Sequence, residues 1–188
     1  MIKRFLFLCF SFFLGLGLMA CSEQTTELEA PVALQAPDDA TGYYCGMLLP
    51  EHEGPKGQIH LASRERPIWF TSVHDTIVFT RLPEEPRDIT AAYVHDMGQG
   101  NDWDNPRDLW VDAQDAWFVI GSERRGGMGM PEAVPFSLAE DAEAFVNEYG
   151  GEIVRLDEIP DEYFSGLSEG GVHHDMDMFM DMDDPLPH

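Results

Sequence analysis

The first twenty residues constrain what the rest of this chain can fold into. Lys3 and Arg4 precede a mostly apolar run with the length of a secretory leader, which closes with Leu18-Met19-Ala20-Cys21. These four residues resemble a bacterial lipobox, whose cysteine becomes the acylated first residue of the mature protein. A membrane-spanning helix is the alternative, but the run is short for the ~20 apolar residues of a span. We therefore predict a lipoprotein signal peptide over residues 1–20 and a lipid anchor at Cys21.

The predicted leader also decides which cysteines are available. It sends the mature chain to the oxidising space outside the inner membrane, where most cysteines pair. Cys9 would be removed with the leader and Cys21 would be acylated, so Cys45 is left without an intramolecular partner. The remaining chain has the length of about one domain, or of two very small ones, with enough aliphatic and aromatic residues for a core.

The charge of the chain limits its partners. Its formal net charge is -24, and loss of Lys3 and Arg4 with the leader would make the chain more acidic still. Such a charge excludes nucleic acid as a partner. It also disfavours anionic lipid surfaces, so we expect the acyl chains of Cys21 to hold the protein on the outer membrane, facing the periplasm.

Both ends of the mature chain lack the apolar pattern of a core. Residues 21–40 are rich in Glu, Thr, Ala, Pro and Gln, which is typical of a flexible linker. Residues 165–188 run from Gly and Ser into an acidic stretch rich in Met and His, where we predict a disordered tail. Folding should begin near Thr41 and end near Phe164.

Between these ends, the residue patterns predict an α+β fold. Residues 41–100 contain two strand-like segments, Gly57–Ser63 and Arg66–Phe70, then a helix from Ser72 to about Leu82, and a third strand over Ile89–Met97.

The second half of the folded region repeats this order. Its predicted elements are extended segments at Leu109–Ala113 and Ala116–Gly121, a strand at Val134–Phe136, a helix capped by Ser137 and ended by Gly150-Gly151, and a strand at Glu152–Leu156. Phe70-Thr71-Ser72 and Phe136-Ser137-Leu138 each lead a helix, 66 positions apart. We therefore predict two small repeated ββαβ modules, over 41–100 and 101–164.

Cys45-Gly46-Met47 is the first candidate metal site. In an extended chain, a spacing of two would place the thiol and the thioether on the same side. Thiolate and thioether are soft donors that select Cu(I), whereas zinc favours four ligands richer in Cys and His, and hard ions favour oxygen. A buried cysteine packed beside a core methionine is the alternative interpretation of this tripeptide.

Two further segments could supply sulfur ligands. The loop Gly126–Met130 holds Met128 and Met130 in a backbone too rich in glycine for a helix, and either could complete a trigonal Cu(I) site or fold over the core. The tail could capture copper and pass it inward, or could be a solvated acidic segment. Its candidate ligands are His173, His174, Met176, Met178, Met180 and Met182.

We expect the histidines outside the tail to lie at the surface rather than to bind metal. These histidines are His52, His60, His74 and His95. We assign a structural role to Asp96, Trp110, Asp112 and Trp117.

The motifs, in their order behind a lipobox, resemble the NosL family of copper-binding lipoproteins that accompany nitrous oxide reductase. The matching segments are Cys45-Gly46-Met47, Gly57-Gln58-Ile59, Trp110-Val111-Asp112-Ala113, Ala116-Trp117-Phe118-Val119, Met128-Gly129, Pro131-Glu132-Ala133-Val134-Pro135-Phe136 and Tyr149-Gly150-Gly151.

The resemblance implies a fold and a function. The fold would be two strand-strand-helix-strand modules akin to part of organomercurial lyase. The function would be delivery of Cu(I) in the periplasm to nitrous oxide reductase, through an ABC-type transporter complex, with no enzymatic activity. Cys45 and Met47 match the family's Cys-x-Met copper motif and Met128 its Met-Gly position. Met130 is an additional residue here, which leaves open which methionine closes the site.

Two other functions compete with delivery. A general periplasmic copper scavenger or buffer would use the tail as its main store. An organometal lyase would use Cys45 as a reactive thiol, but such chemistry calls for a base or a cation beside the thiol, and more than one cysteine. The sequence offers neither clearly.

Overall fold

Two small sheets, each covered by a helix, make up the part of the chain that the structure describes. The structure is a computed structural model, and it describes residues 30–127 and 129–164. The predicted signal peptide, Cys21, Met128 and the predicted tail with its His and Met candidates lie outside the described residues. Within the described ranges, no helix is long and apolar enough to cross a membrane.

The first sheet has four antiparallel strands in the order β2-β1-β3-β4. These strands are β1 (Gly57–Leu61), β2 (Ile68–Phe70), β3 (Ile89–His95) and β4 (Trp110–Asp112). β1 and β2, the first two predicted strands, form an antiparallel hairpin with Gln58 opposite Trp69. The central position of β1 explains why all five of its residues are buried.

The helix α1 (Val73–Arg81) covers one face of this sheet. Ser72 caps it as predicted, because its hydroxyl oxygen accepts a hydrogen bond from the backbone N–H of Asp75 at 3.1 Å. The helix ends before Pro83, which cannot continue it. Its side chain Phe79 packs with Ile59 and Phe70 in an apolar cluster.

The second sheet has three antiparallel strands in the order β6-β5-β7. They are β5 (Trp117–Ile120), β6 (Val134–Phe136) and β7 (Glu152–Val154), and the helix α2 (Ala139–Tyr149) lies between β6 and β7 in the chain. Gly150, with φ 70°, ends α2 as predicted. Short 3₁₀ turns at Leu49–Glu51 and Leu156–Glu158 and a final helix α3 (Asp161–Phe164) complete the described elements.

The predicted α+β class is confirmed. The two sheets share one strand order, since in each the first strand is central between the second and the third. β4 departs from the repeat: it follows the predicted module boundary at 100 and 101, but pairs with β3 of the first sheet. That the two halves are repeats of one ββαβ module remains a prediction.

Asp96 joins the two halves. Its Oδ1 accepts from the backbone N–H of Ser137 at 3.1 Å, and its Oδ2 accepts from the Ser137 hydroxyl. The predicted helix cap at Ser137 is therefore wrong: α2 begins at Ala139, and Leu138 precedes it without a side-chain cap. The carboxylate attracts the hydroxyl because a hydrogen bond to a charged acceptor is stronger than one to a neutral group.

A shared apolar core also joins the two sheets. Val73 and Ile77 of α1 and Val94 of β3 lie in one cluster with Phe118 of β5 and Val154 of β7. All five side chains are at most 7% exposed. The halves therefore bury apolar surface against each other and should unfold together.

Residues 30–40, which we predicted to belong to the flexible linker, instead lie against the first sheet. The side chain of Gln58 exchanges two hydrogen bonds of 2.9 Å with the backbone of Leu34. Tyr93 donates to the carbonyl of Pro31 at 2.8 Å, and Ala40 is buried. This segment therefore packs on β1 through Gln58 and on β3 through Tyr93.

Close packing of α1 on β1 depends on Gly57, because a Cβ at this position would overlap the side chain of Thr76. We expect Gly57→Ala to destabilise the protein by about 1–3 kcal/mol, as overpacking typically does. Thr76→Ala added to it should recover part of this loss, since two of the three overlapping atoms are then absent. Urea unfolding of the two single variants and the double variant measures the coupling; strictly additive losses would contradict the contact.

Candidate metal centre

Cys45-Gly46-Met47 lies in a closed surface turn between Thr41 and Leu48, which form an isolated β-bridge. The backbone N–H of Gly42 donates to the Met47 carbonyl at 2.9 Å, and that of Gly46 donates to the Gly42 carbonyl at 2.8 Å. Gly46 has φ 67°, which a residue without a side chain adopts readily. Our premise of an extended chain is therefore wrong here, because a tight turn carries both sulfur residues.

The thiol of Cys45 is half-buried against the strand end that leads into α1. Its Sγ lies 3.4 Å from the hydroxyl oxygen of Thr71. A Cβ at Gly42 would approach Sγ to 2.7 Å and Thr71 Cγ2 to 2.8 Å, so glycine at 42 makes room for this arrangement. Cys45 is a free thiol, and Met47 beside it is 38% exposed. The tripeptide is thus neither fully buried nor part of the core.

A second turn carries the other candidate methionines. The backbone N–H of Gly126 donates to the Met130 carbonyl at 3.0 Å, and Arg125 and Pro131 form a bridge that closes the turn. Met130 is 42% exposed, so it does not fold back over the core. We call this segment, residues 126–130, the glycine turn. Met128, the middle residue of this segment in the sequence, lies outside the described residues.

Both turns are attached near the first turn of α1. Thr71, which contacts the thiol, precedes the helix cap, and the backbone N–H of His74 in the first turn of the helix donates to Glu132 Oε1 at 2.8 Å. Glu132 follows Met130 by two residues. The glycine turn also rests on the loop after the cysteine turn, because a Cβ at Gly127 would lie 3.0 Å from His52. The fold therefore brings the two predicted ligand segments to one end of α1.

Two buried ionisable groups lie behind these turns. Burial raises the pKa of Glu132 from 4.5 to about 8, although the backbone N–H groups of His74 and Ala133 and the charge of Lys56 oppose the shift. Burial lowers the pKa of Lys56 from 10.5 to about 8, against the attraction of Glu132 and Glu53. The Lys56 ammonium donates to the carbonyls of His52, Glu53 and Gly54 at 2.6–3.0 Å. It thereby ties down the loop on which the glycine turn rests.

Tyr43 and Tyr44 form an exposed aromatic pair beside the thiol. Their ring centroids lie 5.1 Å apart, and their hydroxyls donate to the two carboxylate oxygens of Glu85 at 3.2 and 2.9 Å. Burial and the charge of Glu85 raise the pKa of Tyr44. Glu85 follows α1, so the pair fixes the cysteine turn to the far end of the helix as well.

The expected surface position is wrong for three of the four histidines outside the tail. His60, His74 and His95 are at most 8% exposed. The side chain of Gln58, whose Oε1 lies 3.0 Å from His60 Nε2, and the ring of Tyr93 contact His60, and the ring centroids of His95 and Trp110 lie 4.1 Å apart. Burial lowers the pKa of both His60 and His95. Among residues 30–127 and 129–164, no group of three or more His, Cys, Asp or Glu side chains could hold a metal ion.

Sequence reasoning missed the groups that position the two turns. The sequence analysis named Glu132 only as part of a family motif. Its position next to the buried strand Val134–Phe136 could have indicated a buried carboxylate. Thr71 and Lys56 carry no comparable sequence feature, since a threonine and a lysine are common in loops. Their roles follow from long-range packing.

A small α+β domain with a thiol and a thioether in one surface turn has the ligand chemistry of a soft-metal binder. This chain belongs to the NosL family, whose family model matches residues 31–164. The resemblance read from the sequence motifs is thereby confirmed.

Curated relatives agree with this assignment. The chain is 44% identical over 146 residues to the copper-binding lipoprotein NosL of Achromobacter cycloclastes, covering 77% of this chain and 75% of the relative. It is 32% identical over 167 residues to the copper-binding lipoprotein NosL of Stutzerimonas stutzeri, covering 85% and 84%. The crystal structure of the copper chaperone NosL from Shewanella denitrificans matches with a TM-score of 0.65 and 38% identity, over 70% of this chain and 98% of that one.

The buried carboxyl of Glu132 should make stability depend on pH. Between 4.5 and about 8, the folded protein retains a proton that the unfolded chain releases, so stability should fall as pH rises through this range. In Glu132→Gln this contribution is absent, and the difference in slope should reach up to about 1.4 kcal/mol per pH unit. Urea unfolding from pH 5 to 8 measures it. The exposed control Glu84→Gln should keep the wild-type slope, and equal slopes in all three proteins would contradict the assignment.

Proposed function

We propose that this protein is a Cu(I) chaperone of the cell envelope that holds one copper ion between Cys45 and Met47 and a methionine of the glycine turn. The observation that carries this proposal is the cysteine turn itself, which presents a half-buried thiol and a 38% exposed thioether at one surface. The relatives named as copper-binding lipoproteins and as a copper chaperone support it.

The donor atoms favour the cuprous ion. A thiolate and thioethers are soft, and Cu(I) accepts two or three such ligands, whereas a structural zinc site would need four ligands richer in Cys and His. The acidic surface, with a formal net charge of -24, raises the local concentration of cations of any kind. Selection among these cations therefore depends on the sulfur atoms.

The exposure of the ligands suits transfer rather than storage. Met47 and Met130 are both about 40% exposed, so a partner's ligand can approach the metal without unfolding of the chaperone. A single thiolate holds Cu(I) less tightly than the multi-cysteine sites of copper stores, and thioethers exchange readily because they are neutral. We therefore propose that copper leaves by stepwise replacement of its ligands.

The proposed client follows from membership in the NosL family. We propose that the protein delivers copper for the assembly of nitrous oxide reductase, through its ABC-type transporter complex, and that it acts without enzymatic turnover. An acylated Cys21 would hold it on the outer membrane, facing the periplasm. Loss of nitrous oxide reductase copper in cells that carry Cys45→Ser, with the reductase protein still present, would support this client.

The cysteine turn provides the first test. We expect Cys45→Ser to abolish tight Cu(I) binding, because a neutral hydroxyl replaces the only thiolate. Met47→Leu should weaken binding by at least about tenfold, the lower limit reported for groups that merely orient a ligand. The measurement is an equilibrium titration against a chromophoric Cu(I) chelator.

Leu48→Ala offers a matched control, because it changes an equally exposed neighbour of Met47 without adding or removing a sulfur ligand. Binding in this variant should match the wild type. Unchanged tight binding in Cys45→Ser would contradict the site assignment, and unfolding of any variant is checked by its thermal transition.

The two methionines of the glycine turn can be distinguished in the same titration. The family motif favours Met128, so Met128→Leu should weaken Cu(I) binding at least tenfold, while Met130→Leu should change it less than twofold. X-ray absorption at the copper edge should show a loss of one sulfur neighbour in the first variant only. If instead Met130→Leu weakens Cu(I) binding and Met128→Leu does not, the third ligand is Met130.

A further inference from the structure

We propose that Thr71 is a positioning residue for copper: its hydroxyl donates a hydrogen bond to the Cys45 sulfur while that sulfur holds Cu(I). This inference rests on the proposed function and adds to the copper site a residue from outside the two sulfur-bearing turns. Thr71 lies between the end of β2 and the cap of α1.

The contact between the two side chains is buried on the threonine side. Cys45 Sγ lies 3.4 Å from Thr71 Oγ1, and either atom could be the donor while the sulfur carries a proton. Thr71 is 2% exposed, so its hydroxyl has little access to water as an alternative acceptor. A buried hydroxyl without an acceptor is unfavourable, and the sulfur of Cys45 supplies that acceptor.

Copper binding decides the direction of this hydrogen bond. A cysteine loses its proton when it binds a metal, so a copper-bound Sγ can only accept. In this step the S–H bond of Cys45 breaks, the bond from copper to sulfur forms, the proton goes to solvent, and copper remains Cu(I). The Thr71 hydroxyl is then the donor. A hydrogen bond to a charged acceptor is stronger than one to a neutral group, so the contact strengthens as the copper-bound form appears.

Backbone contacts on both sides keep the two side chains together. The N–H of Tyr43 donates to the carbonyl of Trp69 at 2.8 Å. These two residues precede Cys45 and Thr71 by two positions each. On the other side, Ser72 directly follows Thr71 and caps α1. The hydroxyl is therefore presented to the sulfur by the junction of a strand and a helix, and not by the turn that carries the ligands.

Gly42 leaves the space in which the thiol and the hydroxyl meet. A Cβ at this position would lie 2.7 Å from Cys45 Sγ, 2.8 Å from Thr71 Cγ2 and 3.2 Å from Thr71 Oγ1. The φ of Gly42 is not in the left-handed region, so the backbone itself accepts alanine there. A methyl group at 42 would therefore act on the contact by separating its two partners.

The hydrogen bond has two consequences for the copper site. It holds the sulfur in one orientation, and loss of groups that orient a metal ligand typically costs about 10- to 100-fold in metal affinity. It also withdraws electron density from the sulfur, which raises the energy of charge transfer from sulfur to copper. The second consequence is a spectroscopic signature that packing of a threonine side chain would not produce.

The first experiment removes the hydroxyl and keeps the shape of the side chain. The full chain carrying Thr71→Val, purified in detergent, should bind Cu(I) about tenfold more weakly than the wild type in a titration against a chromophoric chelator. With one equivalent of Cu(I) bound, its near-ultraviolet copper-thiolate absorption should move to longer wavelength. Thr71→Ser keeps the hydroxyl, so it should retain the wild-type band and an affinity within about twofold of the wild type.

Thr76→Val is the matched control for loss of a buried threonine hydroxyl. Thr76 is as fully buried as Thr71, but its hydroxyl donates to the backbone carbonyl of Ser72 at 2.8 Å rather than to sulfur. This variant should lower the thermal transition and leave copper affinity and absorption unchanged. If Thr71→Val behaves in the same way, with the wild-type band and affinity, Thr71 has only a packing role and the proposal is wrong.

Gly42→Ala tests the same contact from the other side. It should shift the absorption band in the same direction as Thr71→Val, because the added methyl group separates the sulfur from the hydroxyl. The double variant should show no further shift, since one hydrogen bond is lost only once. Additive shifts in the double variant, or a wild-type band in Gly42→Ala, would contradict the hydrogen bond.

Failure of this proposal can be told apart from failure of the proposed function. If Cys45→Ser loses tight Cu(I) binding while Thr71→Val keeps the wild-type affinity and band, the copper site stands and the role of Thr71 is wrong. If Cys45→Ser retains tight binding, the copper site itself is overturned, together with the role of Thr71 in it.

Discussion

The packing of α1 between the two sheets is the constraint on which the rest of this structure depends. Val73 and Ile77 enter a core shared with the second sheet, while Phe79 packs with the first. Because the helix is packed in this way, the residues at its start can hold both the cysteine turn and the glycine turn in place. Thr71 contacts the thiol of Cys45, and the N–H of His74 binds Glu132 behind the glycine turn. The candidate centre is therefore built by contacts that also hold the halves together.

This arrangement has an energetic cost next to the site. Glu132 is 1% exposed and Lys56 is 4% exposed, and no ion pair joins them in the described part of the chain. Burial of such groups costs several kcal/mol unless hydrogen bonds compensate, which is why Lys56 donates to three carbonyls and Glu132 accepts from two N–H groups. Burial of the apolar core therefore offsets the free-energy cost of burying these two groups. Their hydrogen bonds hold the two surface turns in defined positions, although each turn contains an exposed methionine.

Local sequence patterns predicted most of the elements, because helix caps, prolines and alternating residues act over a few positions. Ser72 and Pro83 delimit α1, and Gly150 ends α2, as expected. The errors fall where a distant segment intervenes. Ser137 was predicted to cap α2 but binds Asp96, 41 positions away, and residues 30–40 were assigned to a linker but pair with Gln58. His60 was also expected at the surface, but the side chain of Gln58 and the ring of Tyr93 on the neighbouring strand contact it.

The sequence by itself determined the chemistry: one free thiol, a thioether two positions away, further methionines in a glycine-rich turn, and the motifs of the NosL family. These are properties of residue type and spacing, which do not depend on the fold. Only the tertiary structure decided that the cysteine turn and the glycine turn both lie near the first turn of α1. This arrangement depends on contacts between residues 26 to 58 positions apart, such as Cys45 with Thr71 and His74 with Glu132, and such contacts form only when both sheets bury a common core.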